Sequence, residues 1–342
     1  PMANVQEAAL VEGLLAFPVE HLKQLTEHLQ GISLISAYVS QKKDFFAYAE
    51  EHALDISSVQ GQEHAKRALE IAAAGGHNIL MSGPPGSGKT LLAKTIVSIL
   101  PALSFEESLE ITKIFSVSGK LEKEQSLVSQ RPFRAPHHTA SAISLVGGGS
   151  FPRPGEISLA HRGVLFLDEF AEFPRTVLEN LRQPLEDGHV TIARSKGTLR
   201  CAPMQLEKYK RRISGPILDR IDLQIEVPRL PLDKMESRQK NESSASIRER
   251  VEAARARQAV RFKESGIFMN SEMESSHLRD FCHLDEPCTA VLRQAVSTLH
   301  LSARAYYRLI KVARTIADLA GSEQITPLHV AEATQYRFRV EG

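Results

Sequence analysis

The amino-acid sequence predicts an α/β fold in which a parallel sheet is flanked by helices, with a helical domain at the C-terminal end. Three observations carry this prediction. His77–Met81 reads as a short apolar strand and Leu91–Leu100 has apolar residues at helical spacing, with a glycine-rich loop between them. Val164–Leu167 is an apolar run that ends in two acids, as expected of a central parallel strand buried on both faces. Ser246–Phe262 has the pattern of a long, basic amphipathic helix.

Length and composition limit the classes of protein that fit this chain. Its 342 residues have room for two or three domains. With 42 Lys and Arg against 41 Asp and Glu the net charge is +1, so any contact with nucleic acid must come from a local basic patch. The three cysteines, Cys201, Cys282 and Cys288, indicate a reducing compartment rather than a disulfide scaffold. The sequence has neither a membrane-length apolar run nor a signal-peptide pattern, so we expect a cytoplasmic protein without membrane contact.

The loop between the first strand and its helix fills the pattern G-x-x-x-x-G-K-[ST] completely. Its glycines let the backbone aim N–H groups at phosphates, at a helix N-terminus that favours negative charge. In this pattern the lysine reaches the β- and γ-phosphates and the threonine hydroxyl binds Mg²⁺. An ordinary Gly/Pro turn is the alternative. The flanking strand and helix favour a nucleoside triphosphate site (a Walker A loop) made of Gly83, Pro84, Pro85, Gly86, Ser87, Gly88, Lys89 and Thr90.

Asp168 and Glu169 follow the second apolar run directly. An aspartate at the carboxyl end of such a strand can hold the Mg²⁺ that Thr90 also binds. The glutamate beside it can polarise a water for in-line attack on the γ-phosphate. A buried strand followed by a solvated acidic turn is the alternative. With a phosphate loop upstream, the pair predicts a Walker B motif, in which Asp168 binds the metal and Glu169 activates water.

Six motifs then occur in order along the chain: GGHNILMSGPPGSGKT (75–90), RPFRAPHHTAS (131–141), GGGSFPRPGEISLAHRGVLFLDEF (147–170), LRQPLEDG (181–188), ISGPILDRIDL (213–223) and LSARAYYRLIKVARTIADL (301–319). Together they resemble the YifB/ComM family of magnesium-chelatase-related AAA+ ATPases, over nearly the whole chain. The resemblance implies a P-loop AAA+ core and a C-terminal helical lid domain. It also implies assembly into a ring, with six subunits as the expected number, in which ATP and Mg²⁺ bind between subunits.

Two arginines gain expected roles from the same resemblance. Arg220 matches the arginine finger that this clade inserts into a neighbour's site, where a guanidinium stabilises charge on the γ-phosphate. An ion pair with Asp219 or Asp222 is the alternative for Arg220. Arg304 matches the sensor-2 arginine of the lid, which couples lid angle to the phosphate state. Arg308 lies four residues further along the same helix face and is the substitute candidate; simple solvation is the alternative for both.

The resemblance also divides the chain into four segments. Residues 1–38 resemble the end of a Lon-protease-like domain, without a recognisable Ser/Lys dyad, so we expect no peptidase activity. Residues 39–54 form a linker, residues 55–235 the AAA+ core, and residues 236–342 the lid. Within the lid, the arginines of Ser246–Phe262 could face nucleic acid, a neighbouring subunit or solvent, and Thr326-Pro327 marks the start of a final helix.

Two further segments suggest contacts beyond the nucleotide. Val190–Arg200 alternates apolar and polar residues around a Lys-Gly turn, which predicts a hairpin. In related rings a hairpin at this place enters the pore, where Arg194, Lys196 and Arg200 could grip DNA phosphates; a solvated hairpin is the alternative. The dipeptide His137-His138 permits metal binding, but without further ligands at suitable spacing we favour local hydrogen bonding or pore contacts.

One element that the resemblance implies has no counterpart in the sequence. An ATPase of this kind needs another buried strand that ends in a polar residue, usually asparagine, to sense the γ-phosphate. From Leu199 the chain runs through Arg200 and Cys201 directly into the helix before ISGP (213–216), and this stretch contains no apolar strand. We therefore hypothesise that a segment is absent between Arg200 and Cys201, and that a similar junction follows Tyr38, where the linker of the family is longer. A full natural sequence of this protein that contains no additional residues at these two junctions would refute the hypothesis.

Three functions fit these residues. The resemblance implies an ATP-driven helicase that promotes branch migration of DNA, and the basic hairpin and arginine-rich helix support that reading. The alternative is a protein-remodelling ATPase similar to the motor subunit of magnesium chelatase. The nucleotide motifs do not separate the two; the Lon-like segment favours the first. A nucleotide-dependent assembly module with little turnover is a third, weaker reading.

Overall fold

A computed structural model of the protein describes Met2, Val5, Ala9 and residues 13–38, 54–121, 127–148, 153–181, 184–185, 215–231 and 241–337. The chain forms two compact units. Unit 1 comprises Pro1–His52 and Ala102–Pro132, and unit 2 comprises Ala53–Pro101 and Phe133–Gly342. Across the described ranges, we find no helix of the length and apolar character required to span a bilayer.

The chain folds into helices with short strands between them. The strands are β1 (Ile79–Ser82), β2 (Phe133–Arg134), β3 (Gly147–Gly148), β4 (Arg153–Pro154), β5 (Val164–Leu165) and β6 (Leu223–Glu226). The α-helices of the described ranges are α1 (Leu22–Leu29), α2 (Glu63–Gly75), α3 (Lys89–Ile99), α4 (Phe105–Ser118), α5 (Ala142–Val146), α6 (Glu156–Leu159), α7 (Arg175–Asn180), α8 (Gly215–Leu218), α9 (Ser244–Arg261), α10 (Ser275–Phe281), α11 (Glu286–Leu299), α12 (Ala303–Leu319) and α13 (Pro327–Thr334). The protein is therefore a mixed α/β structure, as the sequence predicts.

In unit 1, helix α4 has a strong start signal in its sequence. Ser104 Oγ accepts from Glu107 N at 3.2 Å and the Glu107 carboxylate accepts from Ser104 N at 3.1 Å, which forms a capping box. Leu103, Ile111 and Val128 form the small core beside this helix. Within residues 13–38, α1 is the single helix.

In unit 2, two strand pairs are parallel. Ile79 of β1 lies opposite Leu223 of β6, and Phe133 of β2 lies opposite Val164 of β5. Parallel neighbours require long crossover connections, which explains why paired strands are far apart in sequence. β3 and β4 pair in the antiparallel direction.

The predicted parallel strand at Val164–Leu167 is confirmed for Val164–Leu165, but its predicted burial on both faces is wrong. Only Val164–Leu165 is extended, its side chains are half-buried, and within the described ranges it pairs with β2 alone. The sequence around β2 explains why its pairing with β5 is short. β2 lies between Pro132 and Pro136, and prolines cannot donate hydrogen bonds to a neighbouring strand.

One hydrophobic core joins β1, β5 and β6 to most of the helices of unit 2. Its buried members extend from Ile56 to Tyr336, so they come from both sides of the expected boundary at residue 235. Helix α2 lies at the centre and packs against α3, α9 and α12. Its alanines, including Ala68, Ala72 and Ala74, are buried, and such small side chains allow neighbouring helices to approach closely.

The arginines of α9 do not form the free basic face that the sequence left open. Arg250 Nε donates to Glu70 Oε1 at 2.6 Å, and Arg255 Nη2 donates to the carbonyl of Ala73 at 2.7 Å, both on α2. Further arginines of α9 also bond within unit 2: Arg248, Arg257 and Arg261. The reason is geometric, because α9 packs against α2, α3 and α12, and these arginines bond to residues of those three helices.

The predicted final helix is present, whereas several other predicted segments fall outside the described residues. The final helix starts as expected, since α13 has Thr326 as its N-cap and Pro327 at its first position. The predicted hairpin with Arg194, Lys196 and Arg200, the Arg200–Cys201 junction and most of the linker lie outside the described residues.

Candidate nucleotide-binding site

The predicted phosphate loop connects β1 to the first turn of α3. Gly83, Gly86 and Gly88 have positive φ angles of 154°, 77° and 89°. At Gly83 the backbone also passes β6 closely, because a Cβ there would lie 2.2 Å from the carbonyl oxygen of Val227. Helix α3 begins at Lys89, so its unsatisfied N–H groups face the loop. The sequence therefore folds here into an anion-binding helix N-terminus.

Lys89 is folded back over this loop. Its Nζ donates to the carbonyl oxygens of Gly83 and Pro84, each at 2.9 Å. The ammonium group thus lies inside the loop, within reach of a phosphate bound by the N–H groups of the loop. Phosphate oxygens can take over the ammonium from these two carbonyls, since charge-assisted hydrogen bonds are the stronger kind.

Thr90 and Asp168, which are 78 residues apart in the sequence, contact each other. Thr90 Oγ1 donates to Asp168 Oδ2 at 3.2 Å, and Asp168 Oδ1 accepts from the backbone N–H of Glu169 at 3.0 Å. A hydroxyl and a carboxylate are the oxygen ligands that Mg²⁺ prefers, usually with several waters and substrate phosphates completing the shell. The two residues predicted to bind the metal therefore fit Mg²⁺ by chemistry and by proximity.

Glu169 is held in an uncommon backbone conformation beside this contact. Its φ is 52°, in the left-handed region, which costs a non-glycine residue about 1–2 kcal/mol. Strained residues of this kind cluster at functional sites. Glu169 Oε2 lies 3.0 Å from His138 Nδ1. Local hydrogen bonding at His137-His138 is found instead between His137 Nδ1 and Thr139 Oγ1, which are 2.9 Å apart.

The pairing of β2 with β5 explains the meeting of His138 and Glu169. Arg134 lies opposite Leu165, and both histidine and glutamate follow these partners by four residues. Phe133 and Phe166 stack at 5.9 Å beside the pair of strands. His137, which packs on His138 at 4.0 Å, also lies 2.9 Å from Thr139 through its Nδ1. The sequence spacing thus positions the imidazole, although the contact was not predicted.

The structure does not bring Arg220 or Arg304 to this site. Arg220 follows α8, its backbone N–H donates to Ile217 O at 2.9 Å, and its side chain is only 8% exposed. Arg304 is exposed in the first turn of α12. Arg308, the substitute candidate, forms an ion pair with Asp222 instead. From the sequence alone Asp222 is a candidate partner of Arg220, and its contact with Arg308 of α12 has no local signal in the sequence.

Comparison with known proteins adds an independent line of evidence. The family model for "Magnesium chelatase, subunit ChlI" matches residues 55–200 and 195–235, and the model for "Magnesium chelatase, subunit ChlI C-terminal" matches residues 241–337. The chain is 42% identical to "Uncharacterized protein YifB" of Escherichia coli over 361 residues, which cover 98% of this chain and 69% of that protein. It is 42% identical to "Competence protein ComM" of Haemophilus influenzae over 369 residues, which cover 98% and 70%.

A weaker likeness links the chain to "Lon protease 2" of Bacillus subtilis, with 25% identity over 144 residues. The two stronger alignments are longer than the chain of 342 residues, so these relatives carry residues without a counterpart here. The first family match consists of two ranges that overlap at residues 195–200, next to the Arg200–Cys201 junction. The hypothesis that a segment is absent there stays a prediction.

Proposed function

Because the chain belongs to the YifB/ComM family of magnesium-chelatase-related AAA+ ATPases, we propose that it hydrolyses ATP with Mg²⁺ in a ring of six identical subunits. The contact of Thr90 with Asp168 carries this proposal, because it joins the phosphate loop to the acid that follows the second strand. In the ring, each site uses the phosphate loop of one subunit and Arg220 of its neighbour.

Each residue has a defined task in the proposed reaction. Lys89 and the loop N–H groups hold the β- and γ-phosphates, and Thr90 and Asp168 hold Mg²⁺, which neutralises charge on the phosphate oxygens. Glu169 orients a water and accepts its proton as the water oxygen bonds to the γ-phosphorus. The bond from the γ-phosphorus to the bridging oxygen breaks, and ADP and phosphate leave.

The register of β1 and β6 supports a role for Arg220 in a neighbouring site. The phosphate loop follows the carboxyl end of β1, whereas Arg220 precedes the amino end of β6. The paired strands alone separate these ends by about 10 Å, at three steps of about 3.3 Å. Arg220 therefore lies on the opposite side of the strands from its own loop, and its buried side chain must turn outward to serve another subunit.

The same reasoning applies to Arg304. It precedes Arg308 by one helical turn, which corresponds to roughly 6 Å along α12, and Arg308 contacts Asp222 immediately before β6. Arg304 thus lies near the amino end of β6, away from its own phosphate loop. We assign its sensor role to the phosphate of an adjacent subunit.

We further propose that the ring acts on DNA. The similarity to the protein named "Competence protein ComM" favours this substrate, and the sequence supplies Arg194, Lys196 and Arg200 in the predicted hairpin. Remodelling of a protein is the second candidate, which the description "Magnesium chelatase, subunit ChlI" favours. A near-neutral net charge of +1 does not separate these substrates.

The ATPase proposal is tested with Glu169→Gln, which keeps the size of the side chain but removes the base. We expect unchanged Mg²⁺-dependent ATP binding and turnover lower by about 10²–10⁴-fold. Glu172→Gln, a nearby acid in the 3₁₀ turn Phe170–Glu172, is the matched control and should keep its turnover. Undiminished turnover in the Glu169 variant would show that another group activates the water.

The choice of substrate is tested by ATPase stimulation with branched DNA at several salt concentrations. A DNA motor should be stimulated, and the stimulation should fall with salt and with Lys196→Ala, because phosphate contacts release counterions. Lys263→Ala, at an exposed lysine after α9, is the control and should leave stimulation unchanged. A lack of stimulation by any DNA at low salt would favour the protein substrate.

A further inference from the structure

Asp222 is a buried carboxylate directly after the turn that carries Arg220. It is 2% exposed and precedes β6. His77 Nδ1 lies 3.1 Å from its Oδ2, and Arg308 Nη1 forms an ion pair with its Oδ1. We call Asp222, His77 and Arg308 the Asp222 cluster. A buried charge is costly unless it is paired, so the cluster holds together elements from three separate parts of unit 2.

The surroundings of Asp222 are rich in positive charge. Burial opposes ionisation, but the hydrogen bond from His77 and the charge of Arg308 hold the pKa of Asp222 well below its usual range. Burial also lowers the pKa of Lys311 and brings that of Arg337 to about 10. Arg337 is 7% exposed, and its Nε and Nη2 have no hydrogen-bond partner among the described residues. Asp222 thus offsets positive charge on both Lys311 and Arg337, with Glu274 acting on the first and Asp219 on the second.

His77 anchors the cluster to the body of unit 2. Its Nε2 lies 2.8 Å from Thr315 Oγ1 on α12. The space is tight, because a Cβ at Gly75, the last residue of α2, would lie 2.2 Å from His77 Nε2 and 2.5 Å from Thr315 Oγ1. The imidazole therefore cannot shift without moving α2 or α12, and it gives Asp222 a fixed support.

The turn that precedes Asp222 is also fixed by a hydrogen bond. Gln224 Nε2 donates to Leu218 O at 3.0 Å, which spans the turn from α8 to β6. Arg220 is two residues from Asp222, at most about 7 Å along the chain. Arg304 is one helical turn from Arg308. The ion pair between Asp222 and Arg308 therefore sets the distance between the turn of Arg220 and the helix of Arg304.

We propose that Asp222 and Arg308 are positioning residues that hold the turn of Arg220 and the helix of Arg304 on one edge of the subunit, from which both arginines serve the ATP of a neighbour once Arg220 turns outward. This inference rests on the proposed function. Arg308 therefore positions the two other arginines, whereas the sequence suggests it as a substitute phosphate sensor. The phosphate loop lies at the other end of β1, so loss of the ion pair should spare the subunit's own ATP binding.

The test uses Arg308→Gln, which leaves Asp222 supported by His77, and Asp222→Asn as a second variant that keeps the shape of the side chain. We expect an unchanged Kd for ATP and a kcat lower by at least about tenfold, as a displacement of about 1 Å costs on the order of 10²-fold. Arg308→Lys keeps the charge and should recover part of the rate.

Mixing experiments distinguish positioning from general damage. A subunit with a misplaced Arg220 still has an intact phosphate loop, and a Glu169→Gln subunit still has an intact Arg220. In an equal mixture, roughly a quarter of interfaces combine the two intact halves in a head-to-tail ring. Arg308→Gln subunits mixed with Glu169→Gln subunits should therefore regain turnover, as should Arg220→Ala subunits in the same mixture.

Arg250→Gln is the matched control, because it breaks ion pairs that do not involve the Asp222 cluster, namely those of Arg250 of α9 with Glu70 of α2 and with Glu242. It should lower thermal stability without a loss of kcat that mixing restores. If mixing restores Arg220→Ala but neither Arg308→Gln nor Asp222→Asn, or if both variants lose ATP binding, the positioning role is overturned. If mixing fails to restore Arg220→Ala itself, the shared site of the proposed function is wrong.

Discussion

Replacing Gly83 by alanine tests the geometry of the phosphate loop. The new Cβ would lie 2.2 Å from the carbonyl oxygen of Val227, whereas real Cβ contacts under 3.0 Å are essentially never seen. Val227 cannot retreat easily, because its N–H donates to Ser82 O at 2.7 Å. The loop must therefore move by about 0.8 Å or more, and a misplacement of 1 Å costs on the order of 10²-fold in rate. Overpacking of this kind also lowers the free energy of unfolding by about 1–3 kcal/mol.

The assay compares steady-state ATP hydrolysis, ATP affinity by calorimetry and urea unfolding for Gly83→Ala. Gly119→Ala is the matched control, since Gly119 also has a positive φ of 69° but no atom within 4 Å of its Cβ position. The control should lose about 1–2 kcal/mol of stability from backbone strain and keep its turnover. A Gly83→Ala protein that binds and hydrolyses ATP like the wild type would refute the close packing of loop and β6.

Three further experiments test other parts of the structure. Gly75→Ala should lower the free energy of unfolding in urea by about 1–3 kcal/mol, because its Cβ would overlap Thr315 Oγ1 at 2.5 Å; an unchanged midpoint would contradict that packing. His138→Ala should lower kcat by about tenfold through a less ordered Glu169 while the Kd for ATP stays the same. His138→Gln, which keeps an N–H donor, should lose less, and equal losses would argue against a hydrogen bond. Burial raises the pKa of Cys282 to about 12, so in peptide mass spectrometry this thiol should resist iodoacetamide at pH 8 until urea is added. Rapid alkylation in the folded protein would show that it is accessible.

Much of unit 2 could be predicted because its signals are local. The phosphate loop lies between β1 and α3 as expected, and Thr90 meets Asp168. Helix α9 begins and ends within two residues of the predicted span Ser246–Phe262. The loop and α9 are determined by residues within a few positions of each other, where periodicity and capping are visible in the sequence. The contact of Thr90 with Asp168 spans 78 residues, and it was predictable because the two motifs serve the same Mg²⁺.

The remaining features depend on contacts between distant segments. Glu169 meets His138 only because β2 and β5 pair in one particular register. Arg308 meets Asp222 only because α12 packs beside the start of β6. The length of β5 is limited by the prolines around its partner. Sequence periodicity describes one element at a time, so it does not reveal which partner an element will have.

The most direct test of a site shared between subunits is the ATPase rate per subunit measured against protein concentration, with assembly followed by sedimentation. If Arg220 serves a neighbour's phosphate, the rate per subunit should be very low for dilute monomers and rise in step with ring formation. Arg220→Ala should assemble equally well without that rise. A rate per subunit that stays constant from monomer to ring would contradict the shared site.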